Sequence, residues 1–256
     1  MPYEAILYEI KNGIGKITIN RPSRLNALNE TVLQEIKKCV LDASLDINVK
    51  ILIITGAGTS FSTGRDLESL GSELLNINID GPIPYDSVRD VVDAVQSIPK
   101  VTIAMINGYC LTGALEIALA CDLLIASENA RFGDTHARWG IRPSAGMSQR
   151  LPLLVGVLKA RELSFTSRII DAAEAGKIGL VNFVVPTDQL ESKTLEIAQE
   201  IMKNSPDSIA TYKYLINSFM NNAIQQGVYQ EVHGIFHISD TMERLNKFKK
   251  NSVASK

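Results

Sequence analysis

Two nearly unbroken apolar runs, residues 50–55 (Lys-Ile-Leu-Ile-Ile-Thr) and 100–106 (Lys-Val-Thr-Ile-Ala-Met-Ile), constrain this chain's fold more than any other feature. A strand with one wet face alternates apolar and polar residues, whereas a continuous run suits a strand covered on both faces, as in a parallel sheet between helices. Helical spacing surrounds these runs. Val32, Ile36, Val40 and Leu41 recur at the helical period after Asn29 or Thr31, either of which suits the cap of a helix reaching about Leu45. Residues 84–98 read as a second helix. Residues 5–10 and 15–19 form an opening hairpin about Asn12-Gly13, ended by Arg21-Pro22, and residues 56–60 (Gly-Ala-Gly-Thr-Ser) make a turn. Residues 123–126 and 180–185 are further strands. Strands alternating with helices predict right-handed crossovers and a mostly parallel sheet, an α/β protein.

Beyond Val185 the alternation stops, and residues 189–203, 206–221 and 224 to about 248 read as three amphipathic helices. The expected division is a core over residues 1–189 and a helical region over 190–256, whose apolar stripes can be buried against a neighbouring subunit.

The second apolar run opens into Asn107-Gly-Tyr-Cys-Leu-Thr-Gly-Ala-Leu-Glu-Ile-Ala-Leu-Ala-Cys-Asp122. Gly113 stands at the predicted start of a helix, where backbone N–H groups lack intrahelical partners and favour negative charge. Glu116 is a lone acid among apolar neighbours, costly unless paired, hydrogen-bonded or used. The stretch therefore offers an anion-stabilising donor beside a candidate acid or base.

Several function classes are disfavoured. A formal net charge of −2 leaves no basic field for nucleic acid. Lys247, Lys249, Lys250 and Lys256 read as a solvated basic tail. Cys39, Cys110 and Cys121 lack metal-ligand spacing and fit reduced thiols in a cytosolic protein. No His partner for Cys110 is evident, so a small buried thiol is expected there. The N-terminus carries no basic-then-apolar signal, and no apolar run approaches the ~20 residues of a membrane span, so a cytoplasmic protein is expected. His233 and His237 lie four residues apart without a third ligand, which favours a structural role over a metal site.

Four stretches in order resemble the enoyl-CoA hydratase/isomerase superfamily, also called the crotonase fold. They are Ile19-Asn-Arg-Pro-Ser-Arg-Leu-Asn-Ala-Leu28, Thr55-Gly-Ala-Gly-Thr-Ser-Phe-Ser-Thr-Gly-Arg-Asp-Leu67, residues 107–122, and residues 130–151 from Ala-Arg-Phe-Gly to Ser-Gln-Arg-Leu. The resemblance covers nearly the whole chain. It implies repeated ββα units holding an acyl-CoA pocket and a C-terminal helical region that forms trimers, two of which stack into a hexamer. It also implies an acyl-CoA thioester substrate and no metal or redox cofactor, since the thioester itself is the electron sink.

By motif position, the backbone N–H groups of Arg65 and Gly113 would form an oxyanion hole for the thioester carbonyl. Such donors are typically worth about 3–4 kcal/mol each. The Arg65 guanidinium would be either solvated or turned to the CoA phosphates. Glu116 falls on the first of the family's two catalytic glutamates. The second is replaced: Phe132-Gly-Asp-Thr-His136 stands where hydratases carry Phe-Gly-x-x-Glu, so His136, which exchanges protons near neutral pH, becomes the partner. Asp134 is the weaker candidate and a possible hydrogen-bond partner for His136. The substrate-binding positions implied are Arg24, Ala27, Ser62, Gly64, Asp66, Leu67, Tyr109, Leu111, Trp139, Phe248 and Lys250. Trp139 also suits simple packing, and the motif near Phe248 and Lys250 is poorly kept, with Thr241 where glycine is common. Ser144 occupies the place of a nucleophilic aspartate used elsewhere in the superfamily and suits a helix cap. Residues 69–83, rich in Gly, Ser, Asn and Asp, are expected to set the depth of the acyl pocket.

The reaction expected is hydration of a 2-enoyl-CoA. Double-bond isomerisation, another thioester reaction such as hydrolysis or decarboxylation, and CoA binding without catalysis remain the alternatives.

Overall fold

The computed structural model describes residues 3–69, 87–234 and 240–254, apart from the side chains of 219, 221–223 and 248–254. His237 and nearly all of the 69–83 stretch fall outside the described residues.

The chain opens with antiparallel β1 (Ile6–Lys11) and β2 (Ile14–Ile19). Their turn residues Asn12 and Gly13 have φ of 52° and 82°, as a tight two-residue hairpin requires. Then follow α1 (Glu30–Leu45), β3 (Ile51–Gly56), β4 (Ser60–Ser62), α2 (Ser87–Ser97), β5 (Val101–Ile106), β6 (Tyr109–Leu111), α3 (Gly113–Ala120), β7 (Leu123–Ser127), β8 (Arg131–Gly133) and α4 (His136–Trp139). The remainder is α5 (Met147–Val155), α6 (Val157–Thr166), β9 (Ile170–Asp171), α7 (Ala172–Lys177), β10 (Phe183–Val185), α8 (Leu190–Met202), α9 (Pro206–His233) and α10 (Thr241–Ala254).

One large sheet runs β1-β2-β3-β5-β7-β10, parallel except for the opening hairpin. A smaller sheet runs β4-β6-β8-β9. The units β3-β4, β5-β6 and β7-β8 each give their first strand to the large sheet and their second to the small one. This is the ββα repeat, and the short second strands lead the chain towards the site. The turns between paired strands are close-packed: a Cβ on Gly108 would lie 1.9 Å from the Thr59 carbonyl oxygen, so no larger residue fits. Asn26 and Asn107 satisfy these turns, donating to the carbonyls of Ala57 and Ser60, and of Gly56 and Gly58.

Beyond their leading lysines both apolar runs are buried, Ile51–Gly56 and Val101–Ile106, because helices cover both faces of the sheet. Leu52, Ile54, Ala104 and Ile106 pack with residues of α1, α2 and α3, whereas Ile51, Ile53, Val101 and Ile103 pack with Leu190 and Ala198 of α8. Each such isoleucine or leucine contributes about 1.5–3 kcal/mol on burial. The cap of α1 is Asn29, whose side chain accepts from the Val32 amide at 3.0 Å.

Two expectations are corrected. The break near Asn221 is absent: α9 runs unbroken from Pro206 to His233, because Ile224, Val228 and Val232 continue a buried stripe at four-residue spacing. Ser60, expected in a turn, instead opens β4 of the small sheet. The C-terminal region is tied to the core of its own chain. Lys213 on α9 donates to Asp122 Oδ2 at 2.8 Å and to the Lys100 carbonyl at 2.9 Å, and Arg142 donates to the Gly234 carbonyl at 3.0 Å. Thr241 donates to the Gly140 carbonyl.

Candidate active site

The centre of the site is α3, whose eight residues are all buried. Its entry is sharp: Thr112 has φ 52° and ψ −117°, a strained conformation for a residue with a side chain. It is held by a hydrogen bond from its amide to the Gly133 carbonyl at 2.9 Å and by a hydroxyl contact with Thr135 at 2.5 Å. This turn delivers Gly113 as the first helical residue, where the backbone N–H has no intrahelical acceptor.

A second backbone element lies against it. Leu28 and Arg65 form an isolated parallel bridge in which the Leu28 amide donates to the Gly64 carbonyl at 2.8 Å and the Asp66 amide to the Leu28 carbonyl at 3.0 Å. The Arg65 amide between them points to the opposite edge. Gly64, at φ 88°, is pressed against α3: a Cβ there would lie 2.8 Å from the Leu111 carbonyl and 3.4 Å from the Gly113 nitrogen. The Arg65 and Gly113 backbones are thus brought side by side.

The Arg65 guanidinium is not solvated. Its side chain is 14% exposed and reaches towards Glu30 of α1, Nη1 to Oε2 being 3.8 Å. Asp66 pairs with Arg21 at 3.1 Å, and Ala27 accepts from the same guanidinium. Ser62 is fully buried and accepts from the Gly64 amide at 3.1 Å, so it shapes the loop from inside. Arg24 remains exposed beside Glu68, Leu67 is half-buried, and Tyr109 and Leu111 flank the buried Cys110 on β6.

Glu116 is 2% exposed, and its Oε1 accepts from the amides of Ala145 and Met147, both at 3.1 Å. Its Oε2 lies 3.9 Å from His136 Nε2. His136 opens α4, with Asp134 clasping it twice: Oδ1 accepts from the His136 amide at 3.2 Å and pairs with Nδ1 at 2.6 Å. An ionised carboxylate only accepts, so Nδ1 carries the proton and Nε2 faces Glu116. Burial drives the His136 pKa down, but the hydrogen bond to Asp134 and the charges of Glu116, Asp134 and Glu231 outweigh it, and the net shift is upward. For Asp134, burial pushes the pKa up, and the bonds to His136 and Ser164 outweigh it, leaving a net lowering.

The other candidates fall into place around this pair. Trp139 is half-buried at the end of α4. Ser144 does not cap α5, which begins after Gly146 with no side-chain cap of its own. Two carboxylates, Glu116 and Glu231, take that role. Glu231 was missed from sequence; a lone acid between Val228 and Val232 on an apolar stripe was the available signal. Phe248 and Lys250 lie on α10, with side chains outside the described residues. His233 stacks on Tyr229 with ring centres 4.2 Å apart, a structural contact. Burial lifts the Cys110 thiol well above its usual pKa, which leaves it inert as a nucleophile. Among the described residues no group of three or more His, Cys, Asp or Glu is placed to hold a metal, and no helix is long and apolar enough to cross a membrane. A cavity of about 400 Å³ between α2, α5 and α9 lies behind Arg150 and does not reach Glu116 or His136.

The chain is similar to known proteins along nearly all of its length. It is 39% identical over 222 residues to the short-chain-enoyl-CoA hydratase of Clostridium acetobutylicum, covering 86% of this chain and 84% of that one. It is 42% identical over 205 residues to a protein of Arabidopsis thaliana named "Probable enoyl-CoA hydratase 1, peroxisomal", covering 80% and 75%. Its fold superposes with a TM-score of 0.88 on the crystal structure of an enoyl-CoA hydratase/isomerase from Xanthobacter autotrophicus Py2, at 32% identity and covering 99% and 96%. The profile of the Enoyl-CoA hydratase/isomerase family matches residues 9–250, and the chain belongs to that family.

Proposed function

We propose that the protein hydrates 2-enoyl-CoA thioesters, with Glu116 and His136 as its acid/base pair. The observation that carries this reading is the 3.9 Å separation of Glu116 Oε2 and His136 Nε2. It is too long for a direct hydrogen bond and short enough for one reacting group to engage both. Glu116 takes a proton from water as the oxygen adds to the β carbon. The thioester carbonyl becomes an enolate, held by the amides of Gly113 and Arg65, each worth about 3–4 kcal/mol to the transition state. The protonated His136, oriented by Asp134, then delivers a proton to the α carbon. One water is consumed, the proton left on Glu116 passes back to His136 to restore the pair, and neither metal nor redox cofactor enters the balance.

Arg24, Ala27, Gly64, Asp66, Leu67, Tyr109, Leu111, Trp139, Phe248 and Lys250 are proposed to shape the acyl-CoA site, with Ser62 supporting the loop from beneath. Self-association as a trimer, or as a hexamer of two trimers, is supported by large apolar side chains left exposed on α6 and α9, among them Leu158, Phe165, Tyr214 and Leu215. Light scattering in solution tests this, and a monomer at micromolar concentration refutes it. Three buried thiols suit a reducing compartment, in keeping with a cytoplasmic enzyme.

The decisive experiment follows the conjugated enoyl absorbance of crotonyl-CoA with wild type, Glu116→Gln and His136→Gln. Loss of absorbance with wild type alone supports hydration. Conjugation of a 3-enoyl-CoA without net hydration points to isomerisation. No change with any enoyl-CoA overturns the reading.

A further inference from the structure

Two buried carboxylates divide four consecutive amides between them. Glu116 Oε1 accepts from Ala145 and Met147, both at 3.1 Å. Glu231 Oε2 accepts from Gly146 at 2.9 Å, and its Oε1 from Ser148 at 3.1 Å and from the Ser148 hydroxyl at 2.5 Å. Glu116 comes from the core helix α3 and Glu231 from α9, near the end of the chain. These amides lie at the start of α5, where helix geometry supplies no acceptors and favours negative charge.

We propose that Glu231 is a positioning residue of the active site, holding the Ala145–Ser148 turn so that Glu116 keeps Oε2 turned to His136. This rests on the reading of Glu116 and His136 as the acid/base pair. Without Glu231, the buried amide of Gly146 loses its acceptor, an outcome that costs stability unless another acceptor moves in, while the exposed Ser148 can turn to water. One acceptor at hand is the Glu116 carboxylate, already bound to the interleaved amides of Ala145 and Met147. Swinging it across the turn draws Oε2 away from His136. The turn cannot readily adjust instead. Gly146 is at φ 98°, a Cβ on it would lie 1.9 Å from Arg150 Nη1, and that guanidinium donates to the Ala145 carbonyl at 2.7 Å and to Gln96 at 2.6 Å.

Charge couples the same residues. The ionisable groups acting on His136 are Asp134 beside α4, Glu116 of α3 and Glu231 of α9, while Arg150 of α5 feels both Glu116 and Glu231. Removing the negative charge of Glu231 therefore shifts His136 titration to lower pH.

The test compares wild type with Glu231→Gln and Glu231→Ala. The chain has three histidines, so the His136 ring can be followed by NMR through a pH titration. The expected result for Glu231→Gln is a lower His136 midpoint and a kcat on crotonyl-CoA reduced at least about tenfold, with KM within about threefold, the split of an interaction acting on the chemical step. If Glu231→Ala fails to fold, the near-isosteric Glu231→Gln carries the test alone. An unchanged midpoint together with an unchanged kcat overturns the proposal. So does a lowered Tm with wild-type kcat at a temperature where the variant is folded, which marks a merely structural carboxylate. If wild type hydrates no enoyl-CoA but Glu231→Gln still moves the midpoint, the hydratase reading fails and the coupling of Glu231 to the pair stands.

Discussion

His136 Nε2 stands 3.9 Å from Glu116 Oε2 while its other ring nitrogen is held 2.6 Å from Asp134 Oδ1. One imidazole thus stands between two buried carboxylates, those of Asp134 and Glu116. Replacing either Glu116 or His136 by Gln lowers kcat by about 10²–10⁴-fold, the usual worth of a positioned acid or base. The double variant is scarcely worse than the poorer single one, because the two act on one reaction. Initial rates on crotonyl-CoA check both statements.

The pH profile should fall on its alkaline side as His136 loses its proton, at a pH above the ordinary imidazole value of about 6.5. The test is kcat against pH for wild type. A limb centred below that value contradicts the assignment of His136 as the acid.

Asp134→Asn removes the hydrogen-bonded carboxylate that, with the charges of Glu116 and Glu231, offsets burial at His136. The alkaline limb moves to lower pH and kcat falls about 10- to 100-fold, consistent with a charge-assisted hydrogen bond of about 1.5–3 kcal/mol. An unshifted limb would show that Asp134 serves only the turn.

Stability has its own pH dependence. The folded pKa of Asp134 is lowered, so its contribution is present above the carboxyl's ordinary value and is lost as pH falls through the folded one. The folded pKa of His136 is raised, so its contribution is present below the ordinary imidazole value and is lost as pH rises through the folded one. Denaturant melts of wild type and His136→Ala should therefore differ most between those limits, near pH ~5–6, and the gap should shrink in strong acid and at high pH to the pH-independent packing loss of the buried ring.

Lys213→Ala removes a cation with 6% side-chain exposure from Asp122. The Asp122 side chain is 26% exposed and keeps bonds from the Thr102 amide and hydroxyl, so the cost is about 2–3 kcal/mol, below the 3–5 of a wholly buried pair. The loss loosens α9 from the core and is read from urea midpoints.

Much of this was legible in the chain itself. β3 and β5 announce themselves because strands covered on both faces need no polar alternation, and Asn29 marks the start of α1. The small sheet is illegible for the opposite reason: β4, β6 and β8 have three residues each, too few for any period to show. The Asn221-Asn222 pair suggests an end to a helix that tertiary burial of Ile224, Val228 and Val232 carries onward. At the site, Gly113, Glu116 and His136 stand out by motif, and Asp134 by its nearness. Glu231 does not, because its partners lie 83 and 85 residues away and are backbone amides, which leave no trace in side-chain identity.

That separation also bears on when the enzyme becomes competent. The ribosome completes both sheets, α3, His136 and the Ala145–Ser148 turn well before it reaches Glu231. A nascent chain can carry the whole proposed acid/base pair and still lack the carboxylate proposed to set Glu116 in place. On the proposed roles, activity waits on the docking of α9, and truncation within that helix leaves Glu116 and His136 present but out of adjustment.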